Sequence, residues 1–168
     1  MIEYLLSVSW YLSVAFYAYL WHNPEKWMAW TAPGDPALVM SRASMAIRGV
    51  QYAAALGLAE WTVGWRYAGW VYAAALVAVV VGQVLNFRVY QLLGVDGVYY
   101  GVRYGKKVPW VTEWPYSFMR DPQYIGCIFT ILGFSVWLPL HFTVNGVISY
   151  LVLIYLESEV PKPKTKSK

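Results

Sequence analysis

From Pro122 to Leu156 the chain runs 35 residues without a formal charge, and no other stretch limits its fold as strongly. As one helix the run would be about 52 Å long, well past the ~30 Å hydrocarbon core of a bilayer. Pro139 stands at its middle, with His141 close by and Asn145-Gly146 just beyond. A tight helical hairpin, with arms near 123–138 and 142–156, accommodates it; one long kinked helix is the rival. His141 is expected at the bend, solvated.

Composition points the same way. Of 168 residues, 59% are hydrophobic and 13% charged, against roughly a quarter charged in soluble domains. Ten tryptophans and fifteen tyrosines suit a chain with much surface at the membrane interface. The net charge of +4 resides in short loops and a lysine tail, which is not the clustered basic face of a nucleic-acid binder; anionic lipid headgroups are the better partner. Cys127 is the single cysteine, so no internal disulfide or thiolate metal cluster can form, and no metal is expected. Between Ile125 and Ile128 it reads as a packing residue. The length suits one domain, 1–168. The opening MIEYLLSVSW lacks a basic region and a small-residue cleavage site, and reads as a retained membrane segment.

Three helices are expected before the hairpin. Residues 4–21 carry no charge and are just long enough to span; His22-Asn23-Pro24 ends them. Thr31 to Ser41, with two prolines and a glycine, reads as loop. A second helix covers about 43–62, where Arg48 and Glu60 must snorkel or face protein. A third covers about 67–93. Its Gln83, Asn86 and Tyr90 share one face, available for interhelical hydrogen bonds or for lining a headgroup site. The expected class is an all-α integral membrane protein: three membrane-spanning helices plus a C-terminal helical hairpin. Arg103, Lys106, Lys107 and Arg120 flank one end of the uncharged run, and Lys162, Lys164, Lys166 and Lys168 the other. Positive loops stay cytosolic, so both ends share that side, with Arg66 the luminal cation.

Most of the chain's charge variety lies between Gly82 and Gly126. Glycines stand at 94, 97, 101 and 105, with Tyr99, Tyr100 and Tyr104 among them, followed by VPWVTEWPY and RDPQYIG. This core motif region, 82–126, together with the closing YLESE, resembles the phospholipid N-methyltransferases. It is most similar to the plant and algal type that acts on phosphatidyl-N-methylethanolamine. The likeness is dense over 82–126, weaker at 149–159 and loose in the first two helices.

The resemblance implies a multi-pass enzyme of the endoplasmic reticulum membrane, with a cytosolic C-terminus, moving methyl groups from S-adenosylmethionine to a phospholipid headgroup amine and ending at phosphatidylcholine. It assigns the methyl donor to a Gly-x-Gly in the third helix, matched here by Val80, Val81 and Gly82. It also assigns it to paired glutamates after the last helix, matched by Glu157 and Ser158 with Glu159 following. A related element near the cofactor, arginine-histidine-proline-x-tyrosine-x-glycine, is matched by Arg120, Tyr124 and Gly126, with Asp121 in the histidine's place. The tail, 160–168, resembles a dilysine retrieval signal.

Methyl transfer to an amine is an in-line displacement that depends on holding two reactants together and on an unprotonated nitrogen. Glu113, Asp121, Glu157 and Glu159 are the candidate proton acceptors, and Glu157 and Glu159 also suit the cofactor's cationic groups. Trp110, Trp114 and Tyr116 are candidate faces for a methylated ammonium, or simply an interfacial belt. Arg103, Lys106 or Arg120 would clamp a lipid phosphate. A methyltransferase of another acceptor, such as a prenylated cysteine, and a non-catalytic membrane scaffold are the other readings. Oligomeric state is open.

Overall fold

The computed structural model describes residues 2–59 and 67–158, and all regular structure among them is helical. Glu60, Arg66, Glu159 and the tail lysines lie outside the described residues. Helix α1, Ile2–His22, stops where expected. The Asn23 amide donates to the Tyr19 carbonyl at 3.1 Å, satisfying a group the last turn leaves open. Pro24 then begins a short second helix, α2, Pro24–Thr31, whose buried Trp27 donates to the Pro36 carbonyl at 3.0 Å.

The loop expected over 31–41 shrinks to residues 32–35. Helix α3 starts at Pro36 and runs to Leu58. Asp35 is its N-cap, accepting from the amides of Ala37 at 2.9 Å and Leu38 at 3.3 Å. Proline at the first helical position completes a helix start, so the same two residues that read as loop punctuation launch the helix.

Helix α4, Gly69–Val98, is bent at Gly94, where φ 60 and ψ −169 fall in a region open essentially to glycine. A 3-10 turn, Gly101–Tyr104, follows and contacts α2 and α3. The long uncharged run folds as two helices, α5 Pro122–Phe134 and α6 Leu140–Ser158. They are antiparallel: Tyr124 meets the last turn of α6, while Gly146 faces Ile131. His141 does sit at the bend. It is not solvated: its ring stacks on Tyr4 at 4.7 Å and its Nε2 is buried.

Antiparallel α4 and α5 approach through glycine. A Cβ on Gly82 would lie 2.4 Å from the Gly126 carbonyl oxygen, and one on Gly126 would lie 2.7 Å from that of Gly82. Small residues at such a crossing let backbones meet, as in membrane helix pairs. Parallel α1 and α6 pack through Trp10, which tilts against Phe142 at 5.3 Å. Gln51 of α3 donates to Ser9 O and Ser13 Oγ of α1.

Two stretches, 69–104 and 140–158, are long and apolar enough to cross a membrane; Pro122–Phe134 is apolar but shorter. Their outer faces are greasy: Phe87 is 66% exposed, Leu76 63% and Tyr155 65%. Apolar surface of that extent needs a nonaqueous neighbour.

Candidate active site

The C-terminal ends of α1, α4 and α6 meet the first turn of α5 around a pocket of about 410 Å³, within the ~300–1,000 Å³ of small-molecule sites. The Glu157 carboxylate is in its wall. Tyr100 donates to Glu157 Oε1 at 2.5 Å, and Tyr124 donates to the same oxygen. Arg120 Nη2 donates to the Glu157 main-chain carbonyl at 3.2 Å, and its Nε lies 3.7 Å from Asp121. Two segments distant in sequence, at Tyr100 and over residues 120–124, thus converge on one acid at the end of a third.

Tyr100 is held in the left-handed region, φ 58 and ψ 24, which costs a non-glycine residue about 1–2 kcal/mol. Edge contacts of its ring with Trp21 at 5.0 Å and Tyr17 at 5.8 Å offset that cost and aim the phenol at Glu157. Arg103 forms the facing wall. Its guanidinium stacks over Trp21 at 4.4 Å and Nη2 donates to the Trp21 carbonyl. Arg103 Nε is buried with no hydrogen-bond partner among the described residues; such a donor is costly to leave unmade and suits an anionic ligand group. Burial, helped by the charge of Asp121, pushes the Tyr116 phenol up to about 12. At neutral pH Tyr116 therefore offers an aromatic face and an O–H, not a base.

Of the residues singled out in the sequence, Arg103, Trp110, Tyr116, Arg120, Asp121, Tyr124 and Glu157 all line this pocket. The others that lie among the described residues are placed elsewhere. Val80 and Val81 face outward, 52% and 40% exposed, and Gly82 is sealed against Gly126 in the α4–α5 crossing. Ser158 caps its own helix, donating to Tyr155 O at 2.6 Å. Glu113 is 69% exposed and paired with Arg88 at 2.8 Å. Trp114 sits beside that pair, its carbonyl accepting from Arg88 Nε at 3.3 Å.

Gly97, one of the spaced glycines, lines the pocket too, as do Trp21, Gln123, Leu93 and Val98, which the sequence does not single out. Trp21 looked like part of an uncharged membrane segment. Its position at the helix's last turn was the available signal. Tyr100 stood out only as one of several aromatics between glycines; its role depends on a backbone conformation that no local pattern announces.

A family model described as phospholipid methyltransferase matches residues 70–161. Phosphatidyl-N-methylethanolamine N-methyltransferase of Arabidopsis thaliana is 39% identical over 165 residues, covering 97% of this chain and 97% of the relative. The chain belongs to the phospholipid methyltransferase family. No solved structure matches it. The span matched by the phospholipid methyltransferase model contains every charged residue of the pocket: Arg103, Arg120, Asp121 and Glu157. It also contains the α4–α5 crossing and the whole of α6.

Proposed function

We propose that this chain methylates the headgroup nitrogen of phosphatidyl-N-methylethanolamine and of its dimethyl form, giving phosphatidylcholine, with S-adenosylmethionine as donor. The observation that carries the reading is the Glu157 carboxylate, held by two phenols in a pocket at the end of an apolar helical bundle. The relative's name supports the acceptor. In this reading α1, α3 and α4 cross the endoplasmic reticulum membrane and α5–α6 form the hairpin. The pocket and C-terminus then face the cytosol, where Arg103, Lys106 and Arg120 satisfy the positive-inside rule.

The pocket's donors fit the cofactor's charges. Glu157 would take its ammonium, with Glu159 and Ser158 beyond, and Arg120 or the unpartnered Arg103 Nε its carboxylate. Tyr124 orients Glu157. Bound there, S-adenosylmethionine supplies a methyl group activated by a positive sulfur. The remaining work belongs to side chains. Asp121, in the pocket wall, accepts the proton of the lipid ammonium, freeing the nitrogen lone pair. Trp110 and Tyr116 hold the methylated headgroup by their faces. Gly82 and Gly126 act by seating α5 against α4, which positions Tyr124 and Arg120. Glu113 and Trp114 set the loop through Arg88.

Expression in a host lacking phosphatidylcholine synthesis, with each ethanolamine analogue supplied in turn, tests the reading. Conversion of the mono- and dimethylated lipids to phosphatidylcholine is expected. Methylation of a prenylated cysteine alone, or of nothing despite folded protein, would overturn it.

A further inference from the structure

We infer that a second cleft, between α1, α3, α4, α5 and α6, holds the phosphodiester and one acyl chain of the lipid being methylated, with Arg48 facing the phosphate. This rests on the phospholipid reading above. Two cavities, of about 300 and 380 Å³, share Trp10, Gln51, Tyr52, Gln83, Thr130 and Ile131 in their walls, and so form one continuous cleft. Its two ends differ in chemistry. The end nearer the pocket carries Arg48, Asn86, Tyr90 and Tyr150. The far end is lined by Ala55, Leu56, Phe134, Leu138 and Phe142, almost wholly apolar. Ala55 lies seven residues beyond Arg48 on α3, about 10 Å farther from the pocket end at the helical rise. The cleft thus repeats the polarity of a membrane lipid whose headgroup points toward Glu157 and whose chain points into the bundle.

Arg48 makes the polar end specific for an anion. Its guanidinium lies within electrostatic range of Tyr17, Tyr99, Cys127 and Tyr150, and it forms no ion pair among the described residues. A cation among apolar helices without a counter-charge is costly and marks a site; a phosphate matches the guanidinium fork in two parallel hydrogen bonds. The buried Trp10 Nε1, in the same wall, also lacks a hydrogen-bond partner among the described residues. Gln83, held to Thr130 at 2.9 Å, and Asn86 add polar surface for the ester region.

The cleft and the pocket meet at a pair of packed tyrosines. Tyr150 in its wall packs on Tyr124 with ring centroids 6.0 Å apart, and Tyr124 donates to Glu157. In the lipid, two methylenes separate the amine from the phosphate oxygen. In this proposal a lipid with its phosphate at Arg48 would extend its amine toward the Tyr124–Tyr150 pair that bounds the Glu157 pocket.

Photocrosslinking on the purified full-length chain tests this directly. The probe is phosphatidyl-N-methylethanolamine bearing a diazirine midway along one acyl chain. Label on residues 51–59 and 127–142 is expected, with loss of that label in Ala55→Phe. Label confined to the outer face around Leu76 and Val80 overturns the cleft. Arg48→Gln should raise the KM for the lipid at least tenfold, with Arg48→Lys between it and wild type and S-adenosylmethionine affinity within twofold of wild type in both. An unchanged KM in Arg48→Gln overturns the role of Arg48. Wild-type protein that takes the acyl label in the cleft yet methylates no lipid amine would refute the proposed reaction and leave the lipid site standing.

Discussion

Tyr124 donates a hydrogen bond to the carboxylate of Glu157, 33 residues later, tying the first turn of α5 to the last turn of α6. Tyr100 reaches the same oxygen from beyond the bend of α4. Hydrogen bonds to a charged acceptor contribute about 1.5–3 kcal/mol each, so Glu157 is fixed in position before any ligand arrives. Glu157→Ala should weaken S-adenosylmethionine binding at least tenfold by calorimetry, about 1.4 kcal/mol or more. Tyr124→Phe should give a smaller loss, and Tyr100→Phe a similar one. Glu157→Ala protein that binds the cofactor with wild-type affinity would remove Glu157 from the site.

The Gly82–Gly126 crossing separates packing from contact with cofactor. Neither glycine has room for a methyl group, since each would meet the other's carbonyl. Overpacking of this kind costs about 1–3 kcal/mol, so Gly82→Ala and Gly126→Ala should each lower the thermal midpoint in detergent. Val80→Ala and Val81→Ala, on the outer face, should leave stability and cofactor affinity nearly unchanged. A Gly82→Ala variant of normal stability that had lost cofactor binding would argue for direct contact instead.

These glycines also mark how far the sequence could be read. The uncharged run and Pro139 favour a turn between α5 and α6 but leave one long helix as a rival; the return of α6 along α5 is what decides it. The common face of Gln83, Asn86 and Tyr90 followed from helical spacing, and all three line the cleft. Motif likeness could place Val80, Val81 and Gly82 in the chain, but the rotation of α4 about its axis decides which of them point inward. Asp35-Pro36 is ambiguous as a string, since a cap and a turn use the same residues. Glu113 read as a free acid because its partner, Arg88, is 25 residues away.

Asp35, Lys106 and Asp96 tie the start of α3 to the end of α4, with Lys106 Nζ 2.6 Å from Asp35 and 2.5 Å from Asp96. The hydrogen bond from Lys106 holds the Asp35 carboxyl below its ordinary value of 3.8. Its stabilising effect is therefore full above about pH 3.8 and is lost as pH falls through the lower folded value. Desolvation is the largest single influence on Lys106 and lowers it, but the hydrogen bonds and charges of Asp35 and Asp96 together outweigh it and raise Lys106 above 10.5. Its contribution is full below that pH and fades as pH rises through the folded value. The cluster is largely exposed, so each pair is worth under about 1 kcal/mol. Asp35→Asn keeps the cap and removes the ion pair. It should cost less than Asp35→Ala, which also loses a cap worth about 0.5–2 kcal/mol. Urea titrations at pH 7 and at low pH check both; a wild-type advantage over Asp35→Asn that grows on acidification would reverse the assignment.

Trp110 and Tyr116 line the pocket, whereas Trp114 lies outside it beside the Arg88–Glu113 pair. An aromatic face contributes about 0.5–2 kcal/mol to holding a methylated ammonium, according to its desolvation. Trp110 is 71% exposed, which puts it at the low end, and half-buried Tyr116 should contribute more. Tyr116→Ala is expected to raise the KM for the dimethylated lipid about three- to tenfold and Trp110→Ala about two- to threefold. Tyr116→Phe, which keeps the face, should restore most of the loss. Because the phenol is pushed up to about 12, Tyr116→Phe should also leave the pH–rate profile unchanged between about pH 6 and 9. Trp114→Ala should alter stability without a matching change in KM. Equal effects on KM from all three aromatic substitutions would mean that the loop, rather than the faces lining the pocket, governs headgroup binding.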